Sequence, residues 1–183
     1  MPDRTVPATI DGMAFRRVLG ATDRIGWGPA FYPYAVYIEQ GTTAHPRRFA
    51  HAVDEILADD RSWIRSGKVS FQRVATQIGT YVILAKPDTV DKLCYPLDTA
   101  GEVSCCQGNK VVINVERWKH AVEHWTGSLE TYRQMVVNHE WGHRIGKPHR
   151  WCQKAGEQAA VMQQQTYSLQ GCRENSWPLD YEL

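Results

Sequence analysis

Along residues 111–116 the run VVINVE sets Val111, Ile113 and Val115 against Val112, Asn114 and Glu116, the period-2 signature of a strand. The run YAVYIEQG, beginning at Tyr34, is β-branched and aromatic and stops at a glycine, which predicts another strand. VSFQRVA (69–75) and YVILAKP (81–87) predict two more, separated at Gly79. In HPRRFAHAVDEILADDRSW the apolar positions Phe49, Val53, Ile56 and Leu57 recur at helical spacing. A second helical face runs through Leu129, Tyr132, Val136, His139, Glu140 and His143. Residues 94–106, interrupted by Pro96, read as a loop, and residues 1–29, broken by prolines and glycines, read as an irregular arm or extension. This order predicts an α+β domain over 30–183, a mixed sheet with helices packed on one face.

Composition narrows the function classes. A chain of 183 residues fits one domain with a real core, and 43% hydrophobic with 22% charged residues is ordinary globular usage. A net charge of +1 supplies no electrostatic footprint for nucleic acid or an anionic membrane surface. No apolar run approaches the roughly 20 residues of a membrane span. The opening residues MPDRTVPATIDGMAFRRVLG contain no apolar stretch of the secretory-signal kind.

Five cysteines, at 94, 105, 106, 152 and 172, include no C-x-x-C pair, which argues against a cysteine zinc knuckle. Two disulfides and one thiol are the simplest oxidised arrangement: Cys152 with Cys172, and Cys94 with Cys105 or Cys106. Adjacent Cys105 and Cys106 are poorly placed to bridge each other. The alternative is five reduced cysteines in a cytosolic setting.

The chemistry concentrates in HEWGHRIGKPH, residues 139–149. Residues four apart on a helix share a face, so His139 and His143 can aim at one point about 2 Å away, the zinc–nitrogen distance. Glu140 lies about 100° round the helix, near a metal-held water without being a ligand. Gly146 is suited to end the helix and Pro148 opposes its resumption, so the chain can turn back and bring His149 in as a third ligand. Three ligands and an open position describe a catalytic zinc site, whereas structural sites are usually closed by four. With 14 Gly and 7 His in 183 residues, Gly146 and His149 both fall in place by chance at 14/183 × 7/183, roughly 0.3%. That rarity favours a metal site over a histidine-rich helix end.

These five positions, His139, Glu140, His143, Gly146 and His149, form HExxHxxGxxH, which resembles the metzincin clan of zinc metallopeptidases. The clan also carries a methionine in a tight turn beneath the ligands, and AVMQQQTYSL offers Met162. NHEWGHRIGKPH, VMQQQT and GCRENSWP, with ADDRSW, LCYPLDTAG and VVINVERW upstream, look like an uncharacterised bacterial family of metzincin-like domains, usually exported. The resemblance covers about residues 30–179. Members commonly have smaller residues where this chain has Trp141 and Arg144, departures that leave the ligands intact and bear only on the shape expected of the nearby surface; Lys147 carries no assignment.

The resemblance implies a zincin-like α+β fold: a twisted mixed sheet with a backing helix and an active-site helix over 30–146, then a small irregular subdomain over 147–183. It implies one catalytic Zn2+ on His139, His143 and His149, with Glu140 as general base and peptide-bond hydrolysis as the reaction. An edge strand pairs with extended substrate in the clan, and VVINVE, through Val112 and Asn114, is the candidate. Gln163, Gln164 and Thr166 would wall the pocket for the residue after the cut. The expected partner is therefore a protein or peptide, not nucleic acid, and the oligomeric state is open. Location is expected to be extracellular or in the cell envelope, with delivery by a phage particle or lysis as the alternative route.

Two other readings fit the same residues: a zinc-stabilised binding or structural module without catalysis, and a zinc amidase acting on cell-wall crosslinks. An intact Glu140 argues against the first. Tyr167 lies five positions after Met162, not the two at which some metzincins carry a metal-assisting tyrosine, and reads as a core or rim aromatic. His120 and His124 share helical spacing but have no third ligand, and read as a solvated face.

Overall fold

Three strands rich in Val, Ile, Leu and Tyr form the centre of the sheet: β3 (Ala30–Glu39), β5 (Thr80–Ala85) and β7 (Lys110–Asn114). They pair in parallel, β3 with β5 and β5 with β7. Strands buried on both faces lose polar alternation, and here successive residues divide between two cores. Val36, Val82, Val111 and Ile113 join one cluster; Tyr37, Ile83 and Val112 join the other. The computed structural model describes residues 4–76 and 79–183.

The first cluster packs under two helices, α1 (Pro46–Ala58) and, near the end of the chain's helical part, Leu129–Arg144. The α1 helix begins at Pro46, where a missing N–H costs nothing, and buries Phe49, Ala50, Val53, Ile56 and Leu57. The second cluster is covered by α2 (Pro87–Cys94), through Val90 and Leu93. Helices therefore pack on both faces of the sheet, not on one. A helix of 8 residues is too short for its apolar spacing to stand out from the loop around it.

The described residues of 1–29 are not simply an irregular arm. From Thr5 they form a hairpin, β1 (Thr5–Ile10) and β2 (Met13–Val18), whose second strand pairs antiparallel with β3. The turn is Asp11–Gly12, with φ of 48° and 79°, the doubly left-handed geometry that matches the twist of a tight hairpin. Ile10 and Phe15 are buried in the second cluster, so the hairpin belongs to the domain's core.

Two further strands, β4 (Val69–Arg73) and β6 (Cys105–Gln107), complete a sheet of order β1-β2-β3-β5-β7-β6, with β4 parallel to the start of β3. The β6 strand is antiparallel to β7. This placement overturns the expectation that VVINVE is an edge: β7 lies between β5 and β6. It also stops at Asn114, whose side chain accepts the Glu116 N–H at 2.9 Å and caps α3 (Val115–Lys119). The last helix is α4 (Leu129–Arg144), and residues beyond it form turns, bridges and a short 3₁₀ helix, Asp180–Glu182. Among the described residues, no helix is long and apolar enough to cross a membrane.

Candidate metal centre

The α4 helix starts at Ser128, whose hydroxyl accepts the Thr131 N–H at 3.1 Å. It ends in a double reversal. The Gly146 N–H reaches the His143 carbonyl at 2.9 Å and the Lys147 N–H reaches that of Gly142 at 2.8 Å. Gly146 adopts φ +88°, a backbone conformation that costs a residue with a β-carbon energy. The chain beyond is held to the segment around Met162 by the Arg150 N–H on the Met162 carbonyl at 2.9 Å.

That turn brings His149 back onto the helix histidines. Nε2 of His143 lies 3.2 Å from Nε2 of His139 and 2.9 Å from Nε2 of His149, and one nitrogen of each ring lies within 4.8 Å of the others. Tetrahedral ligands at about 2.0–2.1 Å from a zinc ion sit roughly 3.3 Å apart, so these spacings suit a small cation.

The outer nitrogens decide what the inner ones offer. Nδ1 of His139 lies 2.8 Å from the Val161 carbonyl, and Nδ1 of His143 lies 3.0 Å from that of Lys147. A carbonyl only accepts, so each Nδ1 carries the proton and each neutral ring presents a lone pair at Nε2. Two lone pairs facing each other at 3.2 Å repel unless a cation lies between them. The three histidines are thus positioned to bind a metal ion.

Burial dominates the electrostatics. It pushes His139 down to about 3, with His143 and His149 adding to the effect, and it lowers His143 and His149 as well. The rings are therefore neutral and available as ligands at neutral pH. Glu140 is 5% exposed, and burial pushes its carboxyl up to about 8.

Glu140 and the three histidines open onto one cleft of about 470 Å³. Val103 and Cys106, Met135 and Val136 of α4, and Gln164 to Tyr167 line it. Gln164 and Thr166 thus line the cleft. Gln163 does not line it: it is buried, and its amide donates to the Ser168 and Leu169 carbonyls. Val112 and Asn114 are also buried and away from the cleft, because the strand that borders it is β6. Tyr167 is a rim aromatic, 49% exposed.

Met162 is buried against the helix turn between His139 and His143, at Gly142. Its backbone N–H and that of Val161 are taken up by the Glu182 carboxylate at 2.9 and 3.0 Å. Nothing in the sequence around Glu182 signals this contact, which joins positions 20 apart. Disulfides link Cys94 with Cys105 and Cys152 with Cys172, leaving Cys106 as a half-buried thiol facing the cleft. Burial, with Glu140 adding to it, pushes that thiol up to about 12. His124 is held by the Gln165 carbonyl at 2.8 Å, and no metal-binding group other than His139, His143 and His149 occurs among the described residues.

Trp141, Arg144 and Lys147 lie outside the cleft lining. Trp141 is fully buried, edge-on to Tyr34 and Phe71. Arg144 stacks over Tyr32 and donates to the Thr80 hydroxyl, and the Lys147 ammonium donates to the Glu182 carbonyl.

The family described as "Protein of unknown function (DUF3152)" matches residues 2–181. No curated protein and no solved structure matches the chain.

Proposed function

The chain belongs to the DUF3152 family, and we propose that it is a zinc-dependent endopeptidase of metzincin type with Glu140 as general base. The observation that carries this reading is the pairing of the His139, His143 and His149 nitrogens with a buried Glu140 in one cleft. An imidazole donor set without thiolates suits zinc among several divalent metals, and an accompanying unligated carboxylate suits hydrolysis. A purely structural site has no use for that carboxylate.

When bound, zinc would supply a Lewis acid and lower the pKa of a water beside it to about 7. His139, His143 and His149 would hold the ion, with His139 and His143 kept in the tautomer that offers Nε2 by the Val161 and Lys147 carbonyls. Glu140 takes the proton of the attacking water and returns it to the leaving amine. Its buried position favours proton uptake, and a neighbouring divalent charge would favour the ionised form that must act first.

An extended peptide would add to β6, the edge strand whose Cys105, Cys106 and Gln107 border the cleft, through main-chain hydrogen bonds. Val136, Met135 and Thr166 then face the side chain beside the cut. Two disulfides fit an oxidising setting, which supports action in the cell envelope or outside the cell.

The test compares wild type with Glu140→Gln on a protein mixture and on crosslinked cell wall, with bound metal measured in both. Peptide cleavage lost in the variant while zinc is retained supports an endopeptidase. Cleavage of cell wall alone would make it a zinc amidase, and bound zinc without turnover of either substrate would make it a non-catalytic module.

A further inference from the structure

One peptide unit joins Glu182 to the metal centre. The Val161–Met162 peptide donates its N–H to Glu182 Oε1 at 2.9 Å, and its carbonyl accepts Nδ1–H of His139 at 2.8 Å. A planar trans peptide points these two groups in opposite directions, so carboxylate and imidazole sit at its two ends. Glu182 Oε2 accepts two further N–H groups, Val161 at 3.0 Å and Leu179 at 2.9 Å, and the residue is 3% exposed.

We infer that Glu182 is a positioning residue for His139, acting through the Val161–Met162 peptide to fix the ring and strengthen its Nε2 as a metal ligand. This inference rests on the metal reading above. The physical basis is the same as for a carboxylate bonded directly to a ligating histidine, with one peptide inserted between them. A negative charge at the N–H end polarises the amide, places more charge on its oxygen, and tightens the Nδ1–H···O bond. Low dielectric around a buried carboxylate enlarges that effect.

The same residue also reaches the second helix histidine. Its main-chain carbonyl accepts the Lys147 ammonium, and the Lys147 carbonyl accepts Nδ1–H of His143. The segment carrying Glu182 is anchored from outside the site: Arg65 donates to the Pro178 carbonyl at 2.6 Å and pairs with Asp180, and Lys68 donates to the Leu183 carbonyl at 3.3 Å. Position is thus set by contacts that do not involve the metal, and the carboxylate passes it inward.

The experiment uses the full chain stripped of metal and compares wild type, Glu182→Gln, Glu182→Asp and Phe15→Leu. Phe15 lies in the cluster on the other face of the sheet and serves as a control for lost stability alone. Zn2+ affinity is read by competition with a chromogenic chelator, geometry by the visible spectrum of the Co2+ form, and the His139 bond by the NMR shift of its Nδ1 proton. Glu182→Gln is expected to weaken Zn2+ about 10- to 100-fold, alter the Co2+ bands and move the Nδ1 proton upfield. Glu182→Asp restores part of the affinity and carries the test if the glutamine variant does not fold. Phe15→Leu keeps wild-type affinity.

Folded Glu182 variants with wild-type Zn2+ affinity and Co2+ spectrum overturn the inference while leaving the metal reading intact. Equal loss of affinity in Phe15→Leu overturns it too, by assigning the effect to stability. Wild type that binds no Zn2+ overturns the metal reading itself, and this inference with it.

Discussion

Gly142 and Met162 share a contact with no room for a methyl group: a β-carbon on Gly142 would stand 2.1 Å from the Met162 sulfur and 2.8 Å from Cζ2 of Trp63. Gly142 lies between the two helix histidines, so the methionine supports the turn that carries both. Trp63 is itself pinned, its indole N–H donating to the Asn138 carbonyl at 2.9 Å. Gly142→Ala must push the helix away from Met162. The expected cost is about 1–3 kcal/mol by chemical denaturation, despite alanine's better helix propensity, together with weaker metal binding. Unchanged stability would show that the contact is slack.

Metal removal should cost stability as well as activity. A ligand present at about 100 times its Kd stabilises the folded state by about 2.7 kcal/mol. For a chain of this size that corresponds to a fall of roughly 5–10 °C in Tm on stripping with a chelator. His149→Ala removes the ligand that the turn at Gly146 returns, and should abolish the difference between loaded and stripped protein. Differential scanning calorimetry with and without Zn2+ reads both.

The Cys152–Cys172 disulfide closes a loop with a sequence separation of 20, spanning the methionine turn. Chain-entropy arguments give about 3 kcal/mol for a loop of this size. The double variant Cys152→Ser, Cys172→Ser should lose stability of that order, and its Tm should no longer respond to reductant at this bond. A reductant response identical to that of wild type would mean that the other disulfide, Cys94–Cys105, carries it.

Acid should remove one small contribution selectively. Arg61 donates to the Asp59 carboxylate and holds it below the usual carboxylate range. A depressed carboxyl contributes stability that is present above its unfolded pKa and is lost as pH falls through the folded value. Asp59→Asn should therefore cost up to about 1 kcal/mol at pH 7, the scale of exposed ion pairs. That difference should vanish in acid, where wild-type Asp59 is itself protonated. Urea titrations of both proteins at the two pH values measure it.

The candidate metal centre was legible because it is mostly local. His139, Glu140 and His143 share one helix face, and Gly146 and His149 follow within a single turn, so eleven consecutive residues hold the donor set. The strands and the two longer helices were legible for the same reason: β-branched runs and the spacing of Phe49, Val53, Ile56 and Leu57 record burial directly. The hairpin of β1 and β2 carried a readable signal, Asp-Gly between two strand-like runs, that prolines and glycines nearby obscured.

The sequence by itself determined which residues form the candidate metal centre, since periodicity and turn chemistry act between near neighbours. Tertiary structure alone decided which strand borders the cleft. Edge and centre depend on pairing partners far along the chain, and Val112 and Asn114 gave way to β6 for that reason. It also decided that Cys94 takes Cys105 and leaves Cys106 facing the cleft, because adjacent residues on a strand point to opposite faces of the sheet. The contacts of Gly142 with Met162 and of Glu182 with the peptide behind His139 belong to the same class. They are close approaches between segments about 20 residues apart or more, set by packing and buried hydrogen bonding rather than by any local pattern.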